Sequence, residues 1–253
     1  MTQNPETPGR IIVALDRSPF SGNLPILDVL EGRAQWVKIG LRSILAEGPG
    51  ILEKANDRGF KIFLDIKLHD IPTTVASSLK NLLPCGFDMV TLHIAGGRNM
   101  LKACRDVVDE YDGKRKPLLM GVTVLTSLDQ TDIRDLGVMY SVAGHVKRLA
   151  EIAKQSGCDG VIASGGEVKI VRNACGNDFK IVTPGIRPGG RDDPFGDQRR
   201  VMSPGEAVDI GSDFLVIGRP IHAADDPLAA FNAIVREIDD YQPSESRTEP
   251  QPD

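Results

Sequence analysis

No stretch of about 18 consecutive apolar residues occurs anywhere in the 253-residue chain, so a membrane-spanning helix is excluded on length alone. The opening MTQNPETPGR lacks the apolar segment of a secretory leader, and a cytoplasmic location is expected. Cysteine is scarce. Cys85, Cys104, Cys158 and Cys175 form no C-x-x-C pair and have no histidine close by in sequence. That spacing excludes a disulfide framework or a zinc site and predicts reduced thiols. Positive charge is not in excess either: 30 Lys and Arg stand against 35 Asp and Glu, a net charge of −5. A nucleic-acid partner would ordinarily require a basic domain or stripe, and Lys114–Lys116 and Arg199–Arg200 are too short to supply one. No cofactor fingerprint or metal-ligand cluster is present, so none is expected.

What is present is order. Eight runs rich in β-branched residues recur along the chain: Ile11–Asp16, Trp36–Leu41, Lys61–Leu68, Met89–Ile94, Leu118–Leu125, Gly160–Ser164, Lys180–Ile186 and Phe214–Arg219. Segments with helical spacing lie between them, such as Val75, Leu79, Leu82 and Leu83, or Val142, Val146, Leu149, Ile152 and Ala153. Several close on a glycine just before the next run, at Gly59, Gly86, Gly157 and Gly211. This alternation at this length predicts an α/β fold, a single-domain (β/α)8 TIM barrel. A doubly wound open sheet is the competing architecture, but it commonly carries a Gly-rich turn after the first strand, where this chain has LDRSP. The barrel is expected over residues 10–241. Residues 1–9 and 242–253 are polar and Pro-rich, and are expected as disordered tails.

Barrel active sites lie where the strands end. The strand ends here offer Asp16, Lys38, Asp65 with Lys67, His93, Thr126 with Ser127, Ser164, Thr183 with Arg187, and Gly218 with Arg219. An aspartate such as Asp16 at a strand end is ordinarily a turn or cap residue. Lys38 inside an apolar strand is harder to dismiss, because an unpaired buried ammonium is costly; a structural ion pair is its bland explanation. His93 reads as a core or rim histidine, and His69, His145 and His222 carry no signal.

The third run, FLDIKLHDIP, is more specific. Alternation places Asp65 and Lys67 on one face and Leu64, Ile66 and Leu68 on the other. With the apolar face against the helices, the charged pair points to the barrel mouth. Asp70 lies past the strand, and alternation does not aim it. Lys38, Asp65, Lys67 and Asp70 would sum to zero charge, which a structural ion network explains as well as a catalytic one. TPGIRP (Thr183–Pro188) and IGRPI (Ile217–Ile221) follow the last two strands, where barrels commonly bind phosphate. Glycine lets the backbone approach an anion, and arginine offers a bidentate fork. The pair points to a phosphorylated substrate, with the Gly- and Asp-rich Pro188–Arg200 segment long enough to fold over it.

Together VALD, VKIG, FLDIKLHDIP, VTLH, VTVLTS, TPGIRP, GDQRR and VIGRPI resemble the orotidine 5′-phosphate decarboxylase family, in its order, from Ile11 to about Pro220. The D-x-K-x-x-D block alone is shared with related phosphosugar barrels; the full set is specific. The resemblance implies decarboxylation of orotidine 5′-phosphate to UMP without a cofactor. It implies Lys67 as proton donor to C6, with Lys38, Asp65 and Asp70 completing the charged set. Asp16 and Lys38 would hold the ribose, and Thr126 and Ser127 would face the pyrimidine. Pro184, Arg187, Gln198, Gly218 and Arg219 would surround the phosphate. Asp70, Ile71 and Thr74 would reach a partner subunit's site, implying a homodimer. One departure is visible: the segment from Arg187 to Gln198 is slightly longer than in the family's commonest bacterial form. Two other readings remain at this point: a magnesium-dependent phosphosugar synthase or decarboxylase built on the same block, and a non-catalytic pyrimidine-nucleotide-binding barrel.

Overall fold

The computed structural model describes residue 4 and residues 6–113, 115–190 and 202–243. Eight parallel strands follow one another around a closed barrel: β1 (Ile11–Leu15), β2 (Trp36–Gly40), β3 (Lys61–Leu68), β4 (Met89–His93), β5 (Leu118–Val122), β6 (Gly160–Ile162), β7 (Lys180–Thr183) and β8 (Phe214–Ile217). Closure runs through β1 and β8, with Ile11 opposite Leu215 and Val13 opposite Ile217. Helices cover the outside, among them Leu24–Leu30, Pro72–Leu82, Gly97–Glu110, Val142–Gln155, Val168–Cys175 and Pro227–Asp239. Three of the outer helices begin at proline, Pro72, Pro204 and Pro227, where the missing N–H costs no hydrogen bond.

Alternation along the strands builds two cores. Ile11, Val13, Val37, Ile39, Leu64, Ile66, Val90, Leu92, Leu215 and Ile217 face outward into the helices and are buried there. Ile12, Trp36, Phe63, Met89, Met120 and Val182 face inward and fill the lower barrel. One glycine is required by this packing: a Cβ on Gly160 would lie 2.3 Å from the Lys180 carbonyl oxygen. β6 and β7 approach each other too closely there for any side chain.

The strands are held in register at their starts by a repeated device. Gly86-Phe-Asp88, Gly157-Cys-Asp159 and Gly211-Ser-Asp213 each end a crossover and lead straight into β4, β6 or β8. The glycines turn the chain at φ +73°, +85° and +107°, where a side chain would be strained. The middle residue is buried, and the aspartate reaches back to the preceding strand. Asp88 accepts from the Ile62 N–H at 2.9 Å, Asp159 from Leu119 at 2.7 Å, and Asp213 from Ile181 at 2.8 Å. Each carboxylate also meets an arginine: Arg115 at 3.5 Å, Arg105 at 3.2 Å, and Arg172.

Several expected boundaries move. β5 ends at Val122 rather than Leu125, because its neighbour β6 is short; Thr123 bonds the Ile162 carbonyl through its hydroxyl at 2.7 Å instead. β7 ends at Thr183, as Pro184 has no N–H for the ladder. Thr183 itself faces outward and pairs with the Ser212 hydroxyl at 2.7 Å, so it does not reach the mouth. The N-terminal boundary also shifts: Thr7–Arg10 form a 3-10 turn, and the buried Thr7 hydroxyl donates to Asp239 at 2.6 Å. Residues 7–9 therefore belong to the folded body rather than to a tail.

Candidate active site

Toward the strand ends the inward-facing positions turn from apolar to charged. On β1 the inward column runs Ile12, Ala14, Asp16; on β2 Trp36, Lys38, Gly40; on β3 Phe63, Asp65, Lys67. The mouth opens into a cavity of about 520 Å³, within the range of small-molecule sites, about 300–1,000 Å³. Phe63, Ile162 and Val216 form its apolar floor, and they belong to the inner core below.

Four side chains make an alternating line across one flank. Lys38 Nζ lies 3.1 Å from Asp16 Oδ1 and 3.7 Å from Asp65 Oδ2, and Lys67 Nζ lies 2.8 Å from Asp65 Oδ1. Burial acts to raise the Asp65 pKa. The Lys38 and Lys67 ammoniums, with hydrogen bonds from Lys67 and Thr91, outweigh it and hold the carboxyl below its ordinary range. Asp65 is thus a fixed anion, braced between two cations.

Lys67 reaches this place by a departure from regular strand. The pairing of β3 with β4 runs Leu64 to Val90 and then Leu68 to Leu92, so four residues of β3 oppose two of β4. Lys67 sits in the resulting bulge at φ +48°, the one non-glycine residue with positive φ among those described. Such a conformation costs on the order of 1–3 kcal/mol and collects at functional sites.

The other flank carries residues that follow β7 and β8. Pro184, Arg187, Gly218 and Arg219 all line the cavity, as do Asp16, Lys38 and Thr126. Ser127 does not line it. Gln198 lies outside the described residues. Asp70, Ile71 and Thr74 do not line it either. All three are exposed, Ile71 by 64%, and Asp70 accepts from the adjacent Ile71 N–H at 2.6 Å. Within one chain Lys38, Asp65 and Lys67 meet with Asp16 at the end of the line, while Asp70, which the resemblance sends to a partner subunit's site, stands apart from them.

Some lining residues carried no readable signal. Arg42 donates to the Asp16 carbonyl at 2.7 Å and borders the cavity. His222 lines it too, three residues past Arg219; burial, with Arg17 and Arg219 nearby, keeps its imidazole below the ordinary range despite Asp16. Gly40 keeps space open, since a Cβ there would stand 3.3 Å from Lys38 Nζ. The inward period of β2 marks Gly40, whereas Arg42 and His222 lie on helical turns that no strand period reaches. His69 stacks on His93 with ring centroids 5.0 Å apart, beside the Asp70 turn.

A family model, orotidine 5′-phosphate decarboxylase / HUMPS, matches residues 9–234 and so takes in every strand and both flanks of the cavity. The chain belongs to that family. It is 45% identical over 229 residues to an orotidine 5′-phosphate decarboxylase of Glaesserella parasuis, covering 90% of this chain and 98% of that one. A Moorella thermoacetica protein of the same name is 45% identical over 234 residues, covering 91% and 92%. Among solved structures, the orotidine 5′-phosphate decarboxylase of Lactobacillus acidophilus superposes with a TM-score of 0.80 at 38% identity, covering 90% and 98%. The family's barrel is therefore this chain's barrel, from first strand to last.

Proposed function

We propose that this chain converts orotidine 5′-phosphate to UMP and CO2 in de novo pyrimidine synthesis, with Lys67 delivering a proton to C6. The single observation that carries the mechanism is the Asp16–Lys38–Asp65–Lys67 line, set in a cavity whose other flank holds Arg187 and Arg219. Family membership and relatives named for this activity support the substrate.

In the proposed reaction the bond from C6 to the carboxylate breaks, its electron pair stays on C6, and CO2 departs. No carbonyl adjoins C6 to spread that charge, so the carbanion is strongly basic and an ammonium is acid enough to protonate it. A Lys67 N–H bond then breaks as the C6–H bond forms, and solvent returns the proton to the amine. The net change consumes one proton and releases one CO2. Before transfer, the Lys67 charge opposes the growing negative charge on C6. Asp65 stands where the leaving carboxylate would meet like charge. Asp16 and Lys38 would take the ribose hydroxyls, and Thr126, with Ser127 on the same turn, the pyrimidine. Arg187, Arg219, Pro184, Gly218 and Gln198 would hold the phosphate. Binding energy from that remote group then serves the reacting centre.

The exposed Asp70, Ile71 and Thr74 support a homodimer in which these residues enter the partner's site and Asp70 completes its charges. The expected setting is the cytoplasm; among the described residues no helix is long and apolar enough to cross a membrane.

Following the absorbance of orotidine 5′-phosphate with and without EDTA tests the activity. Turnover unchanged by EDTA supports it, whereas turnover that EDTA abolishes favours the phosphosugar reading. For the shared site, mixing inactive Asp70→Asn and Lys67→Ala dimers should recover part of the activity. No recovery after demonstrated subunit exchange would overturn it.

A further inference from the structure

We infer that Thr91, a buried residue in the middle of β4, is the positioning residue that aims Lys67; this rests on the decarboxylase reading above. Thr91 is fully buried and does not line the cavity, so it does not touch substrate. Its hydroxyl nonetheless makes two bonds, both to the charged pair. Oγ1 accepts the Lys67 backbone N–H at 2.8 Å and donates to Asp65 Oδ1 at 3.2 Å.

Each bond answers a specific need. The bulge removes Lys67 from the regular β3–β4 ladder, leaving its N–H in want of an acceptor that backbone pairing would otherwise supply. Thr91 supplies it from the side chain, and so holds the positive-φ turn that swings Lys67 inward. Asp65 Oδ1 receives the Lys67 ammonium and the Thr91 hydroxyl together, while Oδ2 faces Lys38. A hydroxyl has one proton to give and lone pairs to accept with, so the single group serves both ends of the lysine: its backbone directly and its ammonium through Asp65. Valine at this position would match the shape and keep neither bond.

Steady-state kinetics on the full chain with orotidine 5′-phosphate provides the test, with wild type and Lys67→Ala as references. Thr91→Val should lower kcat by about 10–100-fold, the loss expected of a small misplacement of a reacting group, while KM and UMP affinity change little. Thr91→Ser restores the hydroxyl and should recover most of the loss. The acid limb of the Thr91→Val pH–rate profile should also move upward, because Asp65 loses one of the bonds that hold its carboxyl low; a residue that only filled space would leave that limb in place. If Thr91→Val does not fold, Thr91→Ala takes its place with the same expectation. A hydroxyl-free variant with wild-type kcat and an unmoved acid limb would overturn the inference, as would Thr91→Ser failing as badly as valine. In either case an active wild type and a dead Lys67→Ala would leave the decarboxylase reading standing. An inactive wild type would bring down that reading itself.

Discussion

Aspartates sit at both ends of this barrel, and the two sets are built differently. At the base, Asp88, Asp159 and Asp213 each accept a strand's backbone N–H and an arginine, so their lone pairs are committed to the fold. At the mouth, Asp65 takes its bonds from ammoniums and a hydroxyl, and the Lys67 beyond it remains 38% exposed to the cavity. The base uses charge to close a register. The mouth uses charge to hold another charge ready. Partner chemistry separates the two sets more sharply than burial does: Asp65 and Asp213 have side-chain exposures of only 15% and 21%.

That contrast is open to direct attack. Lys67→Ala should lose activity by roughly 10²–10⁴-fold or more, while its unfolding temperature stays within a few degrees of wild type. Near-normal turnover, or a variant that fails to fold, would erase the distinction. Arg219→Ala should raise KM for orotidine 5′-phosphate by about 10–100-fold, as expected for a lost charge-assisted hydrogen bond, and scarcely alter whatever turnover the unphosphorylated nucleoside shows. Equal losses on both substrates would detach Arg219 from the phosphate. Asp213→Ala reverses the pattern at the base. It strands the Ile181 N–H and takes the carboxylate from Arg172, which keeps its bonds to the Gly211 and Phe179 carbonyls, with an expected loss of about 1–3 kcal/mol, or several degrees in a chain of this size. Its kcat should stay close to wild type, and a variant that melted normally but turned over poorly would show that the two ends are not separable.

Much of this was legible in the residues. Strand parity, which is printed in the sequence, put Asp65 on the inward face with Phe63, and it gave Lys67 the same face, although Lys67 reaches it through the β3 bulge. The count of eight strands then put both at a mouth, and the arginines of TPGIRP and IGRPI do line the same cavity. The Gly-x-Asp repeat was equally printed, at residues 86–88, 157–159 and 211–213, yet only its glycines were read as helix ends. What each aspartate bonds depends on the neighbouring strand's register, which lies some 25 to 40 residues away in the chain. Arg42 and His222 were unreadable for a related reason: they reach the cavity from the first turns after a strand, where parity no longer holds.

The sequence by itself determined the alternation of strand and helix, the inward face of each long strand, and the family to which the motifs point. Tertiary structure decided which charges meet. It set Asp16 beside Lys38, because β1 and β2 pair directly with Ala14 opposite Lys38, and it left Asp70 on an exposed turn of its own chain. It also bonded Thr91 to both Lys67 and Asp65, where in sequence it is one β-branched residue among many. A slip in pairing between β3 and β4 is a property of two strands at once, and no period within either one contains it.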